Sequence, residues 1–159
     1  LTSSKSVSII LTGDEMRVNT RFPVAVHMMT LLSYLQKMEK TATSEVLAKS
    51  VGTNPVVIRQ IMSMLRKAGL IETRSGAAGI YLSKKEEDIT LLDIYRAVQD
   101  DANASLFDFH PNPNPACFVG GNIREAMEAP LQEAQQAMEQ SLAGYSLQDI
   151  VNYIDKKVH

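Results

Sequence analysis

Eight residues between Thr53 and Ser75 are of the types that read a nucleic acid: Thr53, Asn54, Val56, Val57, Arg59 and Gln60 in one stretch, then Arg74 and Ser75. Arginine neutralises phosphate and pairs bidentately with guanine, an amide such as Gln60 pairs with adenine, and Val56 suits a thymine methyl. Arg74 is placed to enter a narrow minor groove, where an arginine reads shape rather than base edges. These types matter only if one scaffold turns them outward together.

Such a scaffold is legible on either side of them. Ser44–Ser50 reads as a short helix with Thr43 as N-cap and Glu45 in the first turn, where the helix dipole favours negative charge. Gly52 ends it at a position that needs a left-handed residue. Asn54 and Pro55 restart the chain as N-cap and first helical residue. From Pro55 to Ala68 the apolar Ile58, Ile61, Met62 and Leu65 fall at helical spacing, leaving Val56, Arg59, Gln60, Ser63 and Lys67 on or flanking the other face. Gly69 stops the helix. Ala48 is small enough for the two helices to touch, and Ile58 and Ile61 face back toward it. Two β-prone runs, Ile71–Arg74 and Ile80–Leu82, then flank the loop Ser75–Gly79 and predict a hairpin. Helix, turn, helix and wing in that order form a DNA-binding layout. Arg66 and Lys67 are either backbone contacts or plain surface.

Composition agrees with a basic module joined to something else. The 159 residues carry a net charge of −2, but residues 16–85 hold eleven Lys/Arg against three Asp/Glu, whereas residues 86–159 hold four against thirteen. That division points to one part that meets an acidic polymer and a second part with another task. The alternative is two differently solvated faces. A single cysteine, Cys117, rules out an intrachain disulfide and agrees with a reducing cytoplasm. No apolar run approaches the roughly 18 residues that span a bilayer, so a soluble cytoplasmic protein is expected. An enzyme is not expected: the chain lacks a phosphate loop, GxSxG, CxxC and HExxH, and its histidines (His27, His110, His159) are far apart.

Residues 1–15 read as a disordered upstream extension or an expression-derived arm, with Met16 as a candidate natural start. Asn19 or Thr20 then caps a helix running to about Met38, with Phe22, Val26, Met29, Leu32 and Leu35 as its apolar face. His27 on that helix is either structural or a sensor. Lys84–Asp88 is a mixed charge run expected to be a solvated loop. Thr90 and Asp93 form a capping box opening a helix over Leu91–Val98, and Ser146 and Asp149 form another opening a helix through Ile154. Asp100–Gly121, with its prolines and no helical period, is an extended loop. After Asn122, the residues Ile123, Met127, Leu131, Ala134, Met138 and Leu142 make one apolar stripe on a long helix that Pro130 should kink, at about 3 kcal/mol. The stripe either folds back on its own chain or forms a dimer seam. Helix-turn-helix dimers meeting half-sites about 34 Å apart favour the seam.

The combination resembles the Rrf-two family of bacterial winged-helix regulators. The matching segments are NTRFPVAVHMM (Asn19–Met29), TNPVVIRQIMSMLRKAGLI (Thr53–Ile71), SGAAGIYL (Ser75–Leu82), DITLLDIYRAVQ (Asp88–Gln99) and HPNPNPACFVGGNI (His110–Ile123). The resemblance implies a mainly α fold with a small β-wing: a winged helix-turn-helix domain over 16–100, a loop over 101–121, and C-terminal dimerisation helices over 122–159. It implies a homodimer, a transcriptional regulator and repressor, with the helix after Gly52 in the major groove of a palindromic double-stranded DNA operator and the wing in the minor groove. A winged-helix module that binds only proteins is the alternative. Cluster-binding members carry three cysteines before the long helix, but here only Cys117 is present, so no iron–sulfur cluster, metal or other cofactor is expected. Cys117 is a candidate redox sensor or else a buried or inert structural cysteine. The effector, small molecule or redox signal, is not legible, and the loop Phe107–Gly121 or the cleft between wing domain and long helix is its expected place.

Overall fold

The computed structural model describes residues 18–101 and 105–159. The expected extension over 1–15 lies outside the described residues. The chain divides into two compact units, Leu1–Ser83 and Lys84–His159.

The first unit is built around α1 (Val18–Lys37). Its core face is Ala25, Met28, Met29, Leu32 and Leu35, all buried, a stripe at steps of three, one, three and three. Phe22 and Val26, expected in that stripe, are only half-buried at its margin. The helix also begins before the expected caps, so that Asn19 and Thr20 lie within it. Pro23, its sixth residue, lies beyond the four donors that a helix start leaves unpaired, so α1 forgoes one i→i−4 hydrogen bond in its second turn.

Against α1 pack α2 (Ser44–Val51) and α3 (Pro55–Lys67). Thr43 Oγ1 accepts from the Val46 N–H at 3.3 Å and Asn54 Oδ1 from the Val56 N–H at 2.7 Å, so both helices start on the caps their sequences carry. Between them Gly52, at φ 78°, donates to the Ala48 carbonyl at 2.9 Å, and Thr53 donates to the same oxygen at 3.1 Å. The left-handed turn this requires is open to glycine without strain. Ile58, Ile61 and Leu65 are buried on α3 and Leu47 and Ala48 on α2. Leu65 is 0% exposed. Leu65→Ala is therefore expected to lower unfolding free energy by about 2–5 kcal/mol, measured from denaturant midpoints at constant slope.

Strands β1 (Ile71–Arg74) and β2 (Ala77–Leu82) pair antiparallel as the wing. The connecting loop is tighter than expected: Ala77–Gly79 belong to β2, leaving Ser75 and Gly76 as the turn. Ile71 pairs with Leu82, Glu72 with Tyr81 and Arg74 with Ala77. Between the last two pairs β1 contributes one residue and β2 three, so β2 bulges. Gly79 lies in the bulge at φ 97°, and a Cβ there would stand 3.0 Å from the Ala42 carbonyl oxygen. The sequence needs glycine here for backbone contact with the chain ahead of α2, not for a loose loop. Gln36 Oε1 on α1 accepts the Leu82 N–H at 3.2 Å and anchors the hairpin base.

The second unit comprises a 3-10 turn (Glu86–Asp88) and helices α4 (Leu91–Ala97), α5 (Ile123–Ala143) and α6 (Leu147–Val158). The charge run expected as a loop supplies that turn. Both capping boxes are complete, Thr90 with Asp93 and Ser146 with Asp149. They lie side by side: Leu91 N–H donates to the Tyr145 carbonyl at 2.9 Å and Leu147 N–H to that of Ile89 at 2.8 Å. Two helix starts are thus tied by one short antiparallel bridge, above the buried Ile89, Ile94, Leu147 and Val151. Helix α6 continues four residues past Ile154, with Lys156 and Lys157 in its last turn, where cations suit the dipole.

Helix α5 runs unbroken through Pro130, and none of its residues is buried. Its expected stripe stays on the surface: Met127 is 39% exposed, and Ile123, Leu131, Met138 and Leu142 are half-covered. The loop before it forms turns, with the Leu106 N–H donating to Gln135 Oε1 at 2.6 Å and Arg124 4.9 Å from the Phe109 ring centre.

Candidate nucleic-acid interface

One face of α3 is solvent-exposed along its length: Val56, Arg59, Gln60, Ser63 and Lys67, at steps of three, one, three and four. This is the side opposite Ile58, Ile61 and Leu65, so the core fixes which residues face out. Val56 is 44% exposed despite being apolar, and no polar requirement of the free protein explains it. Val57 corrects the expected set: it is only 7% exposed, because it lies one turn before Ile61 on the core side of α3. Its side chain packs with the core of the free protein, unlike its exposed neighbours Val56, Arg59 and Gln60.

The other expected residues fall where a partner could meet them, with chemistry already partly committed. Thr53 is half-buried in the turn, and Asn54 is exposed, with its side-chain oxygen occupied by the cap. Arg59 extends back across α2, with Nη1 3.5 Å from Ser44 Oγ and 3.8 Å from Glu45 Oε1. Glu45 has its carboxyl held below the usual range, first by its own backbone N–H at the helix start and next by Ser44, with Thr43 and Arg59 contributing less. Ser44 and Glu45 are the contacts that spacing along α3 could not reveal.

At the wing Arg74 and Ser75 are both exposed. The Arg74 Nε donates to Glu72 Oε1 at 3.1 Å, and its guanidinium lies 4.2 Å from the Tyr81 ring centre. Arg66 and Lys67 are exposed in the last turn of α3, where their charge complements the helix dipole. His27, on α1, is exposed with Nε2 3.0 Å from Ser50 Oγ, a surface tie between α1 and α2.

Cys117 is exposed, so of its alternatives the buried one is removed and the inert one stands beside the sensor. Its thiol lies below the ordinary value because the backbone N–H of Gly120, then that of Val119, stabilises the thiolate. An iron–sulfur cluster does not fit these donors. The chain offers one thiolate, and among the described residues no three His, Cys, Asp or Glu side chains group to hold a metal ion. Among the described residues no helix is long and apolar enough to cross a membrane.

A basic half carrying a capped two-helix unit, an exposed face on its second helix and a two-stranded wing defines a winged-helix regulator. The matching family model, Rrf2, described as an iron-dependent transcriptional regulator, covers residues 18–153, and the chain belongs to that family. Its members are transcriptional regulators, not enzymes. The chain is 43% identical over 137 residues to YwnA of Bacillus subtilis (strain 168), named as a candidate HTH-type transcriptional regulator, covering 86% of this chain and 98% of YwnA. Among solved structures, a candidate DNA-binding protein is similar at 39% identity and TM-score 0.64, over 82% of this chain and 97% of that one. IscR of T. potens shares the fold at 22% identity and TM-score 0.65, over 89% and 90% of the two chains.

Proposed function

We propose that this regulator is a cytoplasmic repressor that binds a palindromic operator in double-stranded DNA as a homodimer. In this reading residues 16–100 are the reading domain, 101–121 a connecting loop and 122–159 the dimerisation helices. Helix α3 enters the major groove with Thr53, Asn54, Val56, Arg59 and Gln60 toward the bases, and Arg74 and Ser75 bring the wing to the minor groove. The outward stripe from Val56 to Lys67 carries the argument. It combines an exposed apolar residue, an amide and cations on one face of α3. The uncovered stripe of α5 supports the second copy. The donor set supports operation without an iron–sulfur cluster, leaving Cys117, exposed and biased toward thiolate, as the candidate redox sensor.

The test is to sequence duplexes that the protein selects from a random pool. Recovery of a two-fold palindrome with half-sites about one helical turn apart supports both activity and symmetry. Recovery of no shared sequence would remove specific reading. On the selected operator, Gln60→Ala is expected to cost about 1–3 kcal/mol while leaving random DNA unchanged. Equal losses on both would exclude Gln60 from the reading set.

A further inference from the structure

We propose that Tyr81 and Glu72 are positioning residues that hold Arg74 as a preset minor-groove probe, and so set the preference of the wing for A·T pairs. The inference rests on the DNA-binding reading above and adds to it the two side chains that would make the wing selective.

The hairpin register produces the arrangement. Glu72 and Arg74 are two apart on β1 and share a face, and Tyr81 is the direct cross-strand partner of Glu72. The bulge adds two residues to β2, an even number, so the alternation of faces survives it and Tyr81 stays on the side of Arg74. Tyr81 is itself fixed, because its hydroxyl donates to the Ala78 carbonyl at 2.8 Å, inside the bulge. The guanidinium is then held on two sides, by the Glu72 carboxylate at 3.1 Å and the Tyr81 ring at 4.2 Å. Both partners are incompletely buried, and the Arg74 side chain remains 46% exposed at the wing.

An exposed arginine ordinarily spends rotamer freedom when it binds, and a side chain already held in place spends less. Glu72 also gives the device a direction. Its negative charge opposes general attraction to phosphate, so the wing gains little on DNA where Arg74 cannot enter a narrow, strongly negative groove. Glu72 thus trades indiscriminate affinity for discrimination. Tyr81 holds the guanidinium without adding charge.

The experiment uses the full chain and operators selected by it, with the wing-facing flank built from A·T, I·C or G·C pairs. Inosine lacks the guanine amino group in the minor groove, so I·C presents a major groove like G·C and a minor groove like A·T. The wild-type protein is expected to bind A·T and I·C flanks alike and G·C more weakly. Tyr81→Leu should lower affinity for the A·T flank about three- to tenfold and shrink the A·T to G·C ratio. Tyr81→Phe, which keeps the ring, should retain most of that ratio. Glu72→Gln should raise affinity for random DNA while reducing the ratio, a pair of opposite changes that a structural defect does not give. It alters an exposed isosteric group, so it decides the matter even where Tyr81→Leu unfolds. A wild-type ratio in both Tyr81→Leu and Glu72→Gln, with Arg74→Ala abolishing it, would overturn the positioning role and leave the minor-groove reading standing. An unchanged ratio in Arg74→Ala, or none in the wild type, would overturn both.

Discussion

Leu131→Asp is expected to turn the protein into a folded monomer that binds its operator about 10²–10⁴-fold more weakly. Leu131 lies midway along the apolar stripe of α5, a 21-residue helix in which no residue is buried by its own chain. A long helix keeps such a stripe uncovered at a cost of apolar exposure unless a second copy covers it. An aspartate there would face its two-fold mate across a dry seam, and desolvating two like charges is more than the seam returns. Because Leu131 lies outside the core of either unit, far-ultraviolet circular dichroism should be unchanged. Joining two half-sites in one dimer raises avidity by about 10²–10⁴-fold, and that factor is what dissociation removes. Sedimentation gives the oligomeric state and anisotropy the affinity. A variant that stays dimeric, or a monomer that binds as tightly as before, would move the seam elsewhere.

Operator affinity is also expected to fall about 10³–10⁵-fold between about 50 and about 200 mM salt. The basic half carries eight more positive than negative charges over residues 16–85. Arg59, Arg66, Lys67 and Arg74 are exposed on α3 and the wing, and two copies in the proposed dimer would supply the six to ten or so phosphate contacts that such a slope reflects. The carboxylates of Glu45 and Glu72 do not cancel this, since the excess of eight already counts them. Replacing Lys67 by Ala should reduce the slope by about one per copy and weaken all sequences equally. A module that docks only proteins would show a shallow slope. That single titration separates the two classes of partner.

How much of this was legible beforehand depends on how local each feature is. The caps at Thr43, Asn54, Thr90 and Ser146, the turn at Gly52 and the stripe of α3 are decided by residues within four positions of one another. Short-range sterics and backbone hydrogen bonding fix them, so the sequence alone carried them, together with the division of charge that singles out the basic half. Burial, by contrast, is not local. Val57 has the composition of a reading residue, but its burial depends on how wide a face α3 presents to α1 and α2. The α1 stripe shifted by a fraction of a turn for the same reason.

The amino-acid sequence by itself determined which segments become α-helices, where all but the first of them start, and the layout of helix, turn, helix and wing. Only the tertiary structure decided the rest: that Gly79 belongs to a bulge pressed against Ala42, that Glu45 reaches Arg59, and that Tyr81 stands beside Arg74. Those contacts depend on strand register and helix packing, which follow from the joint burial of residues distant in the chain. No local pattern contains that information: a shift of one residue in strand pairing, for example, would send Tyr81 to the face opposite Arg74.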